Sequence, residues 1–171
     1  LDRWAASRAG LPTALIVCEG RCTEPYYLGG LLEHLGVNAA NAHIQTGSYK
    51  TDALSLVRDA RARFRSTPEY DHVFVVLDGD QAHLDEARRE AGKGMAKAGG
   101  GRVTVELIVT SPCFEYWLLL HFEYTTRGLR SVEAVRALEA HLTDYEKGDR
   151  EIFAKVSGGL AMAEANAAKG I

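Results

Sequence analysis

The segment His72–Leu77 (HVFVVL) is apolar at every position after its histidine. A strand with no polar face must be covered on both sides, as a central strand is in a parallel sheet with helices above and below it. Shorter runs repeat the theme: Thr13–Cys18 (TALIVC), the weaker Ala42–Thr46, and Val103–Val109 (VTVELIV). Segments with helical spacing lie between them. Leu28, Leu31, Leu32 and Leu35 form one apolar stripe that Gly36 stops. Thr51-Asp52 caps a second helix, which carries Leu54, Val57 and Phe64 on one side and meets Pro68 beyond its end. A third helix is expected from about Gln81 to Ala98, halted by Gly99-Gly100-Gly101.

After the fourth run, Thr110-Ser111-Pro112 turns the chain into a helix through Phe114–Phe122, with the proline in the first turn, where its missing N–H is not needed. Val132–Leu142 and the alanine-rich Gly158–Lys169 read as two further helices. The order β-α-β-α-β-α-β-α predicts an α/β fold: a mainly parallel sheet of about four strands flanked by helices. We expect a single domain over residues 1–171, with a core at about 13–122 and a helical C-terminal part at about 123–171.

In such sheets ligands bind beyond the carboxyl ends of the strands. Glu19 directly follows the first strand, Asp78 and Asp80 follow the third, and Glu115 lies one helical turn past Ser111 at the end of the fourth. Carboxylates gathered without a cation raise one another's pKa, and a divalent metal is the simplest remedy. Gly79 loosens the alternation of side-chain direction, so Asp78 and Asp80 can aim at one site. Hard carboxylate oxygens suit Mg²⁺ or Mn²⁺, and the matching chemistry is metal-assisted phosphoryl transfer with a carboxylate moving a proton. Asp-Gly-Asp and Glu-Gly are also common turn compositions, so a purely structural role stands beside this reading.

The same residues carry a resemblance. Leu15-Ile16-Val17-Cys18-Glu19-Gly20, followed by Thr23-Glu24-Pro25-x-Tyr27, resembles the N-terminal signature of the RloB family. Leu77-Asp78-Gly79-Asp80 is similar to its acidic strand end, and Ser111-Pro112-Cys113-Phe114-Glu115-Tyr116-Trp117-Leu118-Leu119-Leu120-His121-Phe122 to its longest motif. The likeness runs in order from Ala14 to Phe122 and continues around Tyr145 and Lys147. It departs at Arg21-Cys22 and in lacking an asparagine between Ser111 and Pro112.

RloB proteins resemble the toprim (topoisomerase–primase) superfamily. The resemblance implies that Glu19 is the proton-transfer or metal-binding glutamate and that Asp78 and Asp80 are the metal pair. It also implies a Mg²⁺- or Mn²⁺-dependent nuclease in bacterial anti-phage defence. The expected partners are a DNA or RNA substrate, tRNA included, a P-loop ATPase and a second copy of the chain in a homo-oligomer. The competing reading is a catalytically inactive toprim-like binding or regulatory subunit of an ATPase-containing complex. Glu115 and Lys147 are further catalytic candidates, Lys147 as a cation for developing phosphate charge.

Other features limit the options. Twenty Lys and Arg against 23 Asp and Glu leave a formal charge of −3, which excludes a broadly basic nucleic-acid glove. Aromatics at 8%, with no base-reading motif, argue against sequence-specific recognition by this chain alone. No run approaches the roughly 18 apolar residues of a membrane span. The odd cysteines Cys18, Cys22 and Cys113, without paired spacing, suggest a reducing cytoplasmic setting and no zinc site.

Glu24 opens a helix, where it either steadies the helix end or joins the site. His121 is either a second general acid or a buried hydrogen-bonded histidine. Thr46–Thr51 has the small residues and the lysine, Lys50, of a phosphate cradle but lacks the P-loop pattern, so ATP binding by this chain is not expected. Arg58, Arg61 and Arg65, with Arg89, Lys93 and Lys97, are spaced as exposed stripes, either solvated or facing a nucleic-acid backbone.

Overall fold

The computed structural model describes residues 11–47, 52–125 and 127–169. The chain runs β1 (Ala14–Cys18), α1 (Thr23–His34), β2 (Ala42–Thr46), α2 (Ala53–Ser66), β3 (His72–Asp78) and α3 (Leu84–Ala91). It continues through β4 (Met95–Ala96), β5 (Arg102–Val103), β6 (Val105–Thr110), α4 (Phe114–Leu119), α5 (Ser131–His141), α6 (Ile152–Val156) and α7 (Leu160–Ala168). Four strands form one sheet in the order β2-β1-β3-β6, and every neighbouring pair is parallel. The α/β architecture expected from the alternation is therefore the one observed, and it is consistent with a toprim-like fold.

Alternation along the strands sorts the core into two layers. Leu15, Val17, Val73, Val75 and Leu77 pack with Leu56, Val57, Ala60 and Phe64 of α2 on one face. Ile16, Cys18 and Val76 face the other way, toward Tyr27, Phe114, Leu118, Leu138 and Ile152. With both faces covered, β1 and β3 have no use for polar side chains, which is why their sequences read as unbroken apolar runs. Among the described residues, no helix is long and apolar enough to cross a membrane.

Asp52 caps α2 as its position suggests, its Oδ1 accepting the Ser55 N–H at 3.0 Å. Elsewhere the structure corrects the sequence reading. The third helix stops at Ala91, and Gly92 and Gly94 lead into a short antiparallel hairpin of β4 and β5. Val103 belongs to that hairpin, so the fourth sheet strand begins only at Val105. Pro112 and Cys113 precede α4, and the Ser111–Pro112 peptide bond is cis. Leu35 ends α1 exposed to solvent, while Tyr27 and the first-turn Thr23 and Glu24 are buried.

Of the cations in the expected basic stripes, Arg58, Arg65, Arg89 and Lys93 are exposed, as on a solvated helix face, and Arg61 is the exception. Arg61 is buried, with its Nε 3.1 Å from Glu90 Oε1 and its guanidinium donating to the Glu90 and Lys93 carbonyls. Arg89 pairs with Glu86, Lys93 with Glu90, and Lys97 with Asp71. Buried among apolar neighbours and facing the end of α3, an arginine at position 61 clamps two helices rather than meeting a phosphate backbone.

Candidate functional site

Strand pairing persists just past the ends of β1 and β3. The Glu19 N–H donates to Val76 O at 2.9 Å, and the Gly79 N–H to Thr110 O at 2.7 Å, which fixes where the next side chains emerge. The first turns of α1 and α4 meet the sheet at the same edge. Between these elements lies a cavity of about 510 Å³, lined by the carboxylates Glu19, Glu24, Asp78 and Glu115 and by the cations Arg21 and Lys147.

Each acid is held differently. Glu19 Oε2 accepts the backbone N–H of Asp78 at 3.0 Å, and its Oε1 accepts the Gln81 amide at 2.6 Å. Asp78 Oδ1 accepts the Phe114 N–H at 2.8 Å, at the start of α4, and the Thr110 hydroxyl at 3.1 Å. Glu24 folds back so that its Oε1 accepts the Gly20 N–H at 3.1 Å. A Cβ at position 20 would stand 1.8 Å from Glu24 Oε2, so glycine is what lets this carboxylate reach the cavity. Glu115 Oε1 takes both the Tyr145 hydroxyl and the Lys147 ammonium at 3.0 Å.

Asp80 is placed apart from the other four. Its side chain is exposed, Oδ2 accepts the Ser131 hydroxyl at 2.7 Å at the start of α5, and it is absent from the cavity lining. It is still close enough for its charge to raise the pKa of Glu19. Among the described residues, no three His, Cys, Asp or Glu side chains stand arranged around one metal position. The edge thus brings Glu19, Asp78, Glu115 and Lys147 together with Glu24, and directs Asp80 toward α5.

The charges are poorly compensated. Burial first, then Glu19, Glu24 and Glu115, push the Asp78 carboxyl up to about 7, against the Thr110 hydrogen bond. Burial likewise raises Glu19 and Glu24, in part offset by backbone N–H groups. Glu115 is the exception: burial acts to raise it, but Lys147, its own backbone and Cys113 hold it below the usual carboxylate range. Lys147 is raised in turn by Glu115. The lining therefore carries four carboxylates against two cations. That donor set, all hard oxygen with two negative charges in excess, is chemically suited to a divalent ion such as Mg²⁺ or Mn²⁺.

His121 is a core residue. It is buried, with Nε2 3.0 Å from the Tyr27 hydroxyl and Nδ1 2.9 Å from Val156 O, and burial lowers its pKa. Cys18 is buried and Cys22 exposed, and neither joins a metal-ligating group among the described residues. Lys50 lies outside the described residues. Sequence reasoning missed Gln81, although it directly follows the acidic strand end, and Thr110, the last residue of β6. Ser131 carries no sequence signal, because its meeting with Asp80 spans 51 residues of chain.

Neither the curated proteins nor the solved structures yield a match to this chain. A family model described as RloB-like protein matches residues 14–170. That span runs from the first residue of β1 past the end of α7, taking in the whole sheet and the helices that frame the acidic cavity, and the chain belongs to the RloB-like protein family.

Proposed function

We propose that this chain is a metal-dependent, toprim-type nuclease that hydrolyses phosphodiester bonds of DNA or RNA. It would act in bacterial anti-phage defence beside a P-loop ATPase. The observation that carries the reading is the half-buried Asp78, raised to about 7 by burial and three other carboxylates at the strand ends. Such an arrangement is costly unless a cation or a proton balances it.

Glu19 and Asp78 would hold the ion, with Glu24 facing the same cavity and Asp80 able to join on releasing Ser131. When bound, Mg²⁺ or Mn²⁺ supplies positive charge for the phosphate oxygens and makes a water more acidic. The remaining roles fall to the chain itself. Gln81 and the Asp78 backbone orient Glu19, which would either complete the ion's ligands or, left unligated, take a proton from the attacking water. The Phe114 N–H and the Thr110 hydroxyl fix Asp78. Lys147, anchored on Glu115 with a largely exposed side chain, would present its ammonium to a phosphate oxygen.

The deciding experiment incubates purified protein with DNA or total RNA, with and without Mg²⁺ or Mn²⁺, beside Glu19→Gln and Asp78→Asn variants. We expect metal-dependent cleavage that falls by two or more orders of magnitude in both variants. Cleavage that survives both substitutions would overturn the site. The hydrogen bond from Ser131 to Asp80 favours a second reading, a non-catalytic subunit whose acidic edge docks a basic partner surface. Tight binding to an ATPase with no cleavage under any metal would select it.

A further inference from the structure

On the other side of α4 from the acidic cavity lies a second one, of about 420 Å³, lined by Tyr116, Trp117, Tyr124, Thr110, Ser111 and Asn166 among others. Its volume is in the range of small-molecule sites. Three aromatic rings in one concave surface are notable in a chain with 8% aromatic residues. Tyr124 is 38% exposed, and Tyr116 and Trp117 are half-buried. Trp117 meets Tyr27 and His121 edge-on, which holds its ring in place. The Tyr116 hydroxyl donates to Thr125 O at 3.1 Å, and the Lys169 ammonium stands 5.1 Å from the centre of the Tyr124 ring.

This groove and the candidate site are framed by two common elements, the end of β6 and helix α4. Thr110, on its wall, donates to Asp78 Oδ1 at 3.1 Å. Helix α4 turns Phe114 and Glu115 into the acidic cavity and Tyr116 and Trp117 into the groove, which Leu120 just past its end also lines. Gly79 permits the close approach, since a Cβ there would stand 3.0 Å from Ser111 Cβ. A polymer lying across the end of β6 would therefore reach both.

We propose that the groove is a base-stacking subsite for single-stranded nucleic acid, seating a nucleobase next to the phosphodiester at the acidic cavity. The proposal rests on the nuclease reading of that cavity and adds the substrate class to it. A chain with net charge −3 cannot hold a strand by a broad basic surface. Stacking on aromatic rings binds every base without requiring that charge, and the Lys169 ammonium beside Tyr124 supplies a local partner for a phosphate. Bases inside a duplex are stacked on one another and would have to leave the helix to enter, so the groove selects unpaired strands.

The test is a binding titration in EDTA, which needs no cleavage. The chain has two tryptophans, Trp4 and Trp117, so Trp4→Phe leaves Trp117 as the one tryptophan, excited apart from the tyrosines at the red edge of its absorption. Mixed-sequence single-stranded DNA and RNA octamers, the corresponding duplexes and a fully abasic octamer are titrated against it. At least one single strand should quench Trp117 and bind tenfold or more tighter than both its duplex and the abasic strand, with the DNA and RNA arms telling which sugar is preferred. Tyr124→Ala and the bulk-preserving Tyr124→Leu should each weaken that binding at least fivefold, while Tyr124→Phe keeps it. Equal binding of the abasic strand, or unchanged affinity in a folded Tyr124→Leu protein, overturns the subsite. Cleavage assays separate the two ideas: stacking without cleavage sinks only the nuclease reading, and cleavage without base-dependent binding sinks only the subsite.

Discussion

Asp78 sits where local structure and charge work against each other. Its carboxylate accepts the N–H that opens α4 and a hydroxyl from β6, bonds that favour the charged form, yet burial and three neighbouring carboxylates push its pKa from 3.8 to about 7. A carboxyl whose folded pKa is raised contributes stability that is fully present below its unfolded value and is lost as pH rises through the folded one. In the metal-free protein, then, Asp78 should make stability decline between about pH 4 and pH 7. Asp78→Asn keeps an oxygen to accept both bonds and removes the charge. It should flatten that decline and stabilise the metal-free protein at pH 8 by about 1–3 kcal/mol, at roughly 1.4 kcal/mol per unit of pKa. Urea denaturation of both proteins across that pH range checks it, and a less stable Asp78→Asn at pH 8 would contradict this account of the site.

At the scale of elements, the junction of α2 and α3 shows what a one-dimensional pattern can hide. Arg58 and Arg65 stay exposed, but Arg61 between them forms a buried clamp on Glu90 and on the Glu90 and Lys93 carbonyls. Removing it takes the guanidinium donor from the Lys93 carbonyl and leaves the Glu90 carboxylate to Lys93 alone, so Arg61→Met should cost about 1–2 kcal/mol, read from the urea midpoint. Arg61→Lys should recover less than half, because a compact ammonium cannot lie beside the Glu90 carboxylate and both carbonyls as the planar guanidinium does. The elements that were legible are those whose pattern is set by burial on both faces: β1 and β3 read correctly because nothing polar could survive there. The length of α3 was not legible, because Ala87, Ala91 and Met95 keep a helical apolar spacing while Gly92 and Gly94 end the helix, and Met95 is buried from the hairpin instead. For the site, strand-end logic located Glu19, Asp78 and the start of α4. It could not see that Glu24 folds back over Gly20 or that Ser131 draws Asp80 aside, since both depend on side-chain direction and, for Ser131, on a distant segment.

Over the whole molecule, a nearly balanced charge conceals a strongly uneven distribution. Several cations elsewhere are committed to pairs such as Arg61–Glu90, Lys97–Asp71 and Lys155 with Asp144 and Asp149, while the strand-end cavity gathers four carboxyl groups against two cations. An ion that binds only the folded state stabilises it by RT ln(1 + [L]/Kd), about 2.7 kcal/mol at a hundredfold excess over Kd. For a chain of this size that corresponds to a rise in Tm of roughly 5–10 °C. Mn²⁺ should therefore raise the Tm of the wild-type protein by that amount and leave Asp78→Asn and Glu19→Gln nearly unmoved, although Asp78→Asn starts from the higher stability argued above. Asp80→Asn then separates two forms of the site. If the ion draws Asp80 away from Ser131, this variant loses much of the thermal shift. If Glu24 completes the donor set instead, Asp80→Asn keeps the full shift and Glu24→Gln abolishes it.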